Sequence, residues 1–490
     1  MADILFAHCN HLFFDRKQVR KMQPYPPLQT LMAAACLREA GHDVALYDST
    51  FETPPEEGFR RALAEHQPQL VAICEDNFNF LTKMCLTQNR ELAFAMMADA
   101  GAAGVPVVVN GSDATDQADA YLDAGAQFVM VGEVERTLVE LAARLLNRGS
   151  VDADDIAGLA FRDPASGALK RTRPRELLTD LDSFPLPAWD LVPVEVYRQR
   201  WMEAHGYFSV NMISSRGCPY RCNWCAKPIY GDTYHNRGPR LVAEQVLALK
   251  NTIAPDHLWF ADDIFALSGE WTREFAQAVE DLGTRIPFKM QSRCDLMTRD
   301  TVEALRQAGC EEVWMGAESG SQNVLDDMDK DVLVDQIYEA RENLRRHGIR
   351  ACYFLQFGYP GETWEDIQRT IRMVRDTQPD DIGISVSYPL PGTRFYERVS
   401  EQLGKKRNWS DSDDLAMMFQ GTYRSEFYKA LRDALHFEVE NRNGASGTSL
   451  SANGVSGNET GGRLEELWRK VEEMETTHAN ADPTPTWTSS

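Results

Sequence analysis

The chain has 490 residues, 43% of them hydrophobic, and a formal charge of -23 at neutral pH. That length exceeds what one growing core sustains, so two or three domains are expected. The charge argues against nucleic acid and anionic membrane partners, which need clustered Lys and Arg, and no apolar run approaches the ~18 to 20 residues of a bilayer span.

The opening MADILFAHCN carries an acidic residue and a strand-like run where an export signal has a basic segment and an apolar stretch, so a cytoplasmic location is expected. In that compartment the ten cysteines are expected as thiols or metal ligands and not as disulfides.

From Asp3 to about Gly149 the strand candidates DILFAHC, HDVALYD, LVAICED, PVVVNGS and FVMVGE alternate with amphipathic stretches such as LQTLMAAACLREAG, EEGFRRALAEH and RTLVELAARLLNRG. Five strands alternating with helices predict a Rossmann-like or flavodoxin-like doubly wound parallel sheet over residues 1–150, with ligands at the carboxyl ends of its strands. GLAFRDPASGALKRTRPR and DSFPLPAWDLVP predict a hairpin and linker over 151–205.

A second series follows over 206–400, with strands VNMISSR, HLWFADD, FKMQSRCD, EVWMGAES, ACYFLQFGYP and IGISVSYPL. Six β/α units predict a partial (β/α)6 barrel of the TIM type, whose chemistry gathers at the strands' C-terminal face. Residues 401–442 read as a helical extension. Over 443–490 the run NGASGTSLSANGVSGNETGG predicts a largely disordered tail with one charged helix, RLEELWRKVEEMET, expected to serve packing or an oligomer contact.

SSRGCPYRCNWCAKPIYG follows the first strand of the second series and places Cys218, Cys222 and Cys225 four and three residues apart. Thiolates suit zinc and iron–sulfur centres. A structural zinc site fills four positions, and neither a fourth cysteine nor a histidine before His235 completes the set. Three thiolates on a four-iron cluster leave one iron open, as reaction chemistry requires. A zinc or redox thiol loop is the alternative.

This CxxxCxxC, with Trp224 before its last cysteine, resembles the signature of the radical S-adenosylmethionine (SAM) enzymes. The resemblance implies a 4Fe-4S cluster on the three cysteines, SAM on the open iron, and one-electron cleavage to a 5'-deoxyadenosyl radical that abstracts hydrogen. HNRGPRLVAEQV resembles the stretch after the family's cluster loop. FADDIF makes Asp262 and Asp263 candidates for the SAM ammonium, with a helix cap as the alternative for one of them. QSRCD offers Ser292 and Arg293 for the carboxylate, and GAESGS offers Glu318 for the ribose with Ser319 beside it. FGYPGET and SYPLPGT place Gly358, Tyr388 and Leu390 near the adenine, although the aromatic rings of Tyr388 and Trp314 also suit barrel packing. The resemblance covers about Val210 to Arg398.

The N-terminal unit is similar to the cobalamin-binding domain of the cobalamin-dependent subclass, through YPPLQTLMAAACLREAGHDVALYD and NGSDATDQADAYLDAGAQFVMVGEVERTL. The implied cobalamin contacts are Tyr25, Pro26, Asn77, Phe78, Gly111, Ser112, Asp113, Gly132 and Glu133. The DxHxxG motif that supplies a cobalt ligand elsewhere is missing, so EDNFNF, with Asn77 or Phe78, is expected to face cobalt without ligating strongly. Of the other cysteines, Cys36 and Cys310 read as buried thiols.

The implied activity is methylation of an unactivated carbon, or phosphorus, of a small molecule, lipid precursor or peptide, with electrons from a donor such as flavodoxin or ferredoxin. A radical cyclase similar to the anaerobic porphyrin-ester cyclases shares this domain order. A methylthiotransferase, which carries three N-terminal cysteines in other surroundings, and a non-catalytic cobalamin sensor are further alternatives.

Overall fold

The computed structural model describes residues 2–79, 86–148, 152–227, 229–404, 409, 415–445 and 457–480. Phe80 of EDNFNF, Cys85 and residues 446–456 of the Gly/Ser-rich run lie outside them. The chain divides into two compact units. Met1–Pro219 and Lys227–Asp263 belong to the first; Tyr220–Ala226, Ile264–Arg407 and Leu415–Ser490 belong to the second. Among the described residues no helix is long and apolar enough to cross a membrane.

In the first unit, strands β1 (Ile4–Ala7), β2 (Val44–Tyr47), β3 (Leu70–Cys74), β4 (Val107–Asn110) and β5 (Phe128–Met130) pair in parallel in the order β2-β1-β3-β4-β5. Side chains alternate across a strand, and each face here has its own core. Leu5, Ala7, Val71, Ile73, Val107 and Val109 fill one core; Ile4, Phe6, Leu70, Ala72, Cys74 and Val108 fill the other. Burial on both faces is why these strands read as unbroken apolar runs.

Strand order reverses between β1 and β3, which marks the binding crevice of a doubly wound sheet. The expected hairpin is β6 (Leu159–Arg162) and β7 (Leu169–Arg171), which continue the sheet antiparallel beyond β5.

The first two strands of the second series also lie in the first unit. They are β8 (Ser209–Met212) and β11 (His257–Phe260), paired in parallel. Between them the two-residue strands β9 (Ser215–Arg216) and β10 (His235–Asn236) pair antiparallel and close the base of the cysteine loop.

The second unit holds β12 (Phe288–Ser292), β13 (Cys310–Glu318), β14 (Arg350–Phe357) and β15 (Asp381–Val386), all parallel. Amphipathic helices Arg299–Ala308, Val334–Arg346 and Trp364–Thr377 alternate with them, and Gly269–Leu282 precedes β12. This is the β/α alternation the sequence predicts.

At the C-terminus, helix Gly457–Thr477 packs on Ser425–Ala445, with Val471 fully buried and the Trp468 indole donating to Glu438 at 2.7 Å.

Candidate active site

Local chemistry fixes the base of the cysteine loop. Gly217 adopts φ 79, and a Cβ there would stand 2.2 Å from the Thr233 carbonyl oxygen, so only glycine fits. The buried Asp262 carboxylate accepts hydrogen bonds from the Ser214 amide at 3.0 Å, the Ser214 hydroxyl at 2.8 Å and the Ser215 hydroxyl. Burial pushes its pKa up to about 7, against the pull of these donors. Asp262 thus anchors the loop root, while its neighbour Asp263 is only half-buried. Lys227 caps the Cys218 carbonyl at 3.0 Å and pairs with Asp232 at 2.6 Å.

In the second unit, the Cys225 amide donates to the Cys222 carbonyl at 3.2 Å. Asn223, between them, donates to the Asp327 carbonyl at 2.7 Å and to Asp329 at 3.0 Å, and accepts from the Tyr359 hydroxyl at 2.8 Å. Trp224 lies against a cluster that includes Met328, Tyr359 and Phe395, and its buried indole nitrogen has no hydrogen-bond partner.

Strand β13 shifts register between Gly316 and Glu318, and Glu318 takes φ 57, a left-handed conformation uncommon outside glycine. The bulge presents the Glu318 carboxylate to the Lys330 ammonium at 2.8 Å, both side chains being buried. Burial opposes the charge on Lys330, but Glu318 and Cys222 outweigh it and its pKa is raised. Burial likewise opposes Arg293, whose pKa is raised by Asp295, Cys222 and Tyr220.

The Arg293 guanidinium lies 3.6 Å from the Tyr220 ring centroid and donates to the Lys330 and Asp331 carbonyls at 2.8 and 2.7 Å. Cys222 thus contributes to the raised pKa of both cations, an arrangement that suits an anionic thiolate-bound centre. Lys330 is absent from the sequence-based candidates because DDMDKDV reads as a solvated charge run.

The remaining strand-end candidates have protein partners. Ser292 donates to the Phe265 carbonyl at 2.8 Å, and Ser319 meets the Thr370 hydroxyl at 3.1 Å. Gly358, at φ 74, donates its amide at 2.6 Å to Glu362, whose carboxyl burial pushes up to about 8. Tyr388 and Leu390 are buried and joined by a backbone bond of 2.9 Å.

At the crevice of the first sheet several of the predicted contacts form one polar network. The Asn77 side chain donates to Gln29 at 2.8 Å and to Asn110 at 3.4 Å, and accepts from the Ser112 amide and hydroxyl at 3.2 and 3.1 Å. Asn110 in turn holds the Met130 and Gly132 carbonyls at 2.9 and 3.0 Å. Phe78 stacks on Tyr230 at 5.4 Å. Tyr25 lies against Trp201 and Trp259, and the Pro26 carbonyl accepts from Asn211 at 3.0 Å.

Asp113 is paired with Arg90 at 2.5 and 2.6 Å. Glu133 pairs with Arg216, a residue the sequence reading did not single out. Two groups at this crevice stay unmatched: the Gln29 amide nitrogen has no hydrogen-bond partner, and the buried Glu75 has a carboxylate oxygen without one, its pKa pushed by burial to about 7. Gly111 leaves room for it, since a Cβ there would meet the Glu75 side chain at 2.7 Å. A crevice lined by amide and carboxyl groups, with one donor and one acceptor unsatisfied, suits a ligand rich in amide groups, which offer both.

Cys218, Cys222 and Cys225 are half-exposed. Among the described residues no three His, Cys, Asp or Glu side chains already stand in metal-coordinating geometry. The donor set itself, three thiols on one loop, fits a thiolate-ligated cluster.

Comparison with known proteins matches these two regions separately. The radical SAM superfamily model covers residues 212–374 and the B12 binding domain model covers residues 22–142. An uncharacterized methyltransferase of Pyrococcus horikoshii is 26% identical over 390 residues, 78% of this chain and 81% of that protein. An anaerobic magnesium-protoporphyrin IX monomethyl ester cyclase of Synechocystis is 25% identical over 385 residues, 77% of this chain and 73% of the cyclase. The fold is shared with the radical SAM methyltransferase TsrM of Kitasatospora setae, solved with cobalamin and a [4Fe-4S] cluster. The TM-score is 0.66 at 20% identity, over 82% of this chain and 75% of that one.

Proposed function

Since this chain belongs to the cobalamin-dependent radical SAM enzymes, we propose that it transfers a methyl group to an unactivated carbon, or phosphorus, of a small-molecule, lipid-precursor or peptide substrate. The observation that carries this reading is the similarity to the Pyrococcus horikoshii methyltransferase over 78% of this chain and 81% of that protein, with B12 binding matched at 22–142 and radical SAM at 212–374. With its cofactors bound, the protein has at hand a one-electron centre, a radical precursor and a methyl carrier.

The chain's own residues hold and orient these groups. Cys218, Cys222 and Cys225 are the thiolate ligands, with Arg293 and Lys330 offsetting their negative charge. Glu318, charge-balanced by Lys330, would accept hydroxyl hydrogen bonds, and Asp263 would accept from an ammonium. Asn77, Ser112 and Gly132 present amide and hydroxyl groups at the crevice of the first sheet, where the unmatched Glu75 oxygen awaits a donor. Closed, apolar packing around Phe78, Tyr230 and Ile213 keeps water from this side of the cysteine loop.

Similarity to the Synechocystis cyclase supports a second reading, radical cyclisation. Product analysis separates the two. Anaerobically reconstituted protein, given methyl-labelled SAM, cobalamin and the small-molecule and lipid fractions of a cell extract, is expected to label a product. It should also form S-adenosylhomocysteine alongside 5'-deoxyadenosine. Cyclisation yields 5'-deoxyadenosine without stoichiometric S-adenosylhomocysteine, and that outcome would overturn methyl transfer. Cys222→Ala is expected to abolish SAM cleavage under reducing conditions; retained cleavage would overturn the cluster assignment.

A further inference from the structure

Arg216 is the last residue of β9, paired with His235 of β10, and it directly precedes Gly217 of the cysteine loop, two positions before Cys218. Its side chain is 2% exposed and lies between two carboxylates, Glu133 at 2.9 Å and Glu135 at 2.5 Å, themselves 3% and 1% exposed. The Phe184 and Tyr230 rings cover it at 4.8 and 5.3 Å. Both carboxylates come from the turn that opens helix Val134–Arg148 of the B12-binding domain.

A buried ion cluster of this kind is a poor source of stability, because desolvation cancels most of the attraction. It does impose geometry: a planar guanidinium fork accepts few arrangements of two carboxylates.

Contacts on either side extend this geometry in both directions. Toward the B12 crevice, Glu133 follows Gly132, whose carbonyl is held by Asn110, which contacts Asn77. Tyr230 stacks on Phe78, which follows Asn77. Toward the cysteines, Arg216 is the last strand residue before a glycine whose conformation admits no side chain. A shift of the Gly132–Glu133 turn on loading the crevice therefore bears directly on the root of the loop that carries Cys218.

We propose that Arg216 is a positioning residue that couples occupancy of the B12 crevice to the conformation of the cysteine loop, so that each cofactor changes the affinity for the other. Coupling of this kind is reciprocal. The inference rests on the assignment of the two cofactors and not on the reaction class, so failure to find a methylated product leaves it standing.

The test is a titration of full-length protein with hydroxocobalamin, once with the iron–sulfur cluster reconstituted and once after iron is stripped by a chelator. Wild-type protein is expected to show affinities that differ about five-fold or more between the two forms, the lower end of usual coupling. In Arg216→Lys, which keeps the charge and loses the fork, the ratio should fall toward one. A purely structural role would weaken both forms together and leave the ratio unchanged, and that result would overturn the proposal. So would a wild-type ratio of one. Should Arg216→Lys fail to fold by thermal melt, Glu135→Gln removes one arm of the same clamp, and a ratio unchanged from wild type there has the same meaning.

Discussion

Glu318 and Lys330 illustrate how a single backbone irregularity makes a site. The strand shifts register after Gly316, Glu318 takes a left-handed backbone, and Gly316 leaves space for the pair, since a Cβ there would stand 2.5 Å from the Lys330 ammonium and 2.6 Å from the Glu318 carboxylate. The pair is buried, so removing one partner strands the other charge. Lys330→Met is expected to lower unfolding free energy by about 3–5 kcal/mol, read from urea denaturation. Lys330→Met combined with Glu318→Gln should recover most of that loss. If the double variant is no more stable than the single one, Glu318 is not a stranded anion and the ammonium serves another partner. In the single variant, weaker SAM binding by equilibrium dialysis is the functional counterpart, because Glu318 loses the ammonium that holds its carboxylate in place.

The cysteine loop is an element without regular structure, and its shape comes from its two ends. At the root, Asp262 gathers Ser214 and Ser215, and the β9–β10 pair closes the base. Farther on, Asn223 ties the segment between Cys222 and Cys225 to Asp327, Asp329 and Tyr359. Gly217 takes a left-handed backbone at the start of the loop. An alanine there carries about 1–2 kcal/mol of left-handed strain, and its methyl group would collide with the Thr233 carbonyl oxygen at 2.2 Å. Gly217→Ala is therefore expected to yield folded protein that takes up much less iron and sulfide on anaerobic reconstitution than wild type, with cobalamin binding by the iron-free protein nearly unchanged. Normal iron content in that variant would mean the loop tolerates a different path and that its root is not what shapes the site.

For the molecule as a whole, the β/α alternation was legible because strands buried on both faces leave unbroken apolar runs and the covering helices leave a 3.6-residue period. The cysteine spacing was legible because a local loop must hold it. What escaped the sequence is long-range charge pairing: Arg216 meets carboxylates 81 and 83 residues away, and Lys330 finds Glu318 only through a strand bulge. The C-terminal helix was legible as a helix, whereas its packing on Ser425–Ala445 was not, because Trp468 and Val471 are ordinary in a charged amphipathic stretch.

The same contrast frames a prediction for the first domain. Its sheet was readable as a fold, yet most of the contacts at its crevice are already made with protein partners, the Gln29 amide nitrogen and the Glu75 oxygen being exceptions. A ligand that fills this crevice binds the folded domain and not the unfolded chain, so it stabilises by mass action. Hydroxocobalamin at 100 times its dissociation constant is expected to add about 2.7 kcal/mol. Amides of β1 to β5 that exchange hydrogen only through opening of this domain should then slow about 100-fold, since exchange follows the population of the open form. Slowing confined to residues outside β1–β5 would place the cobalamin elsewhere in the chain.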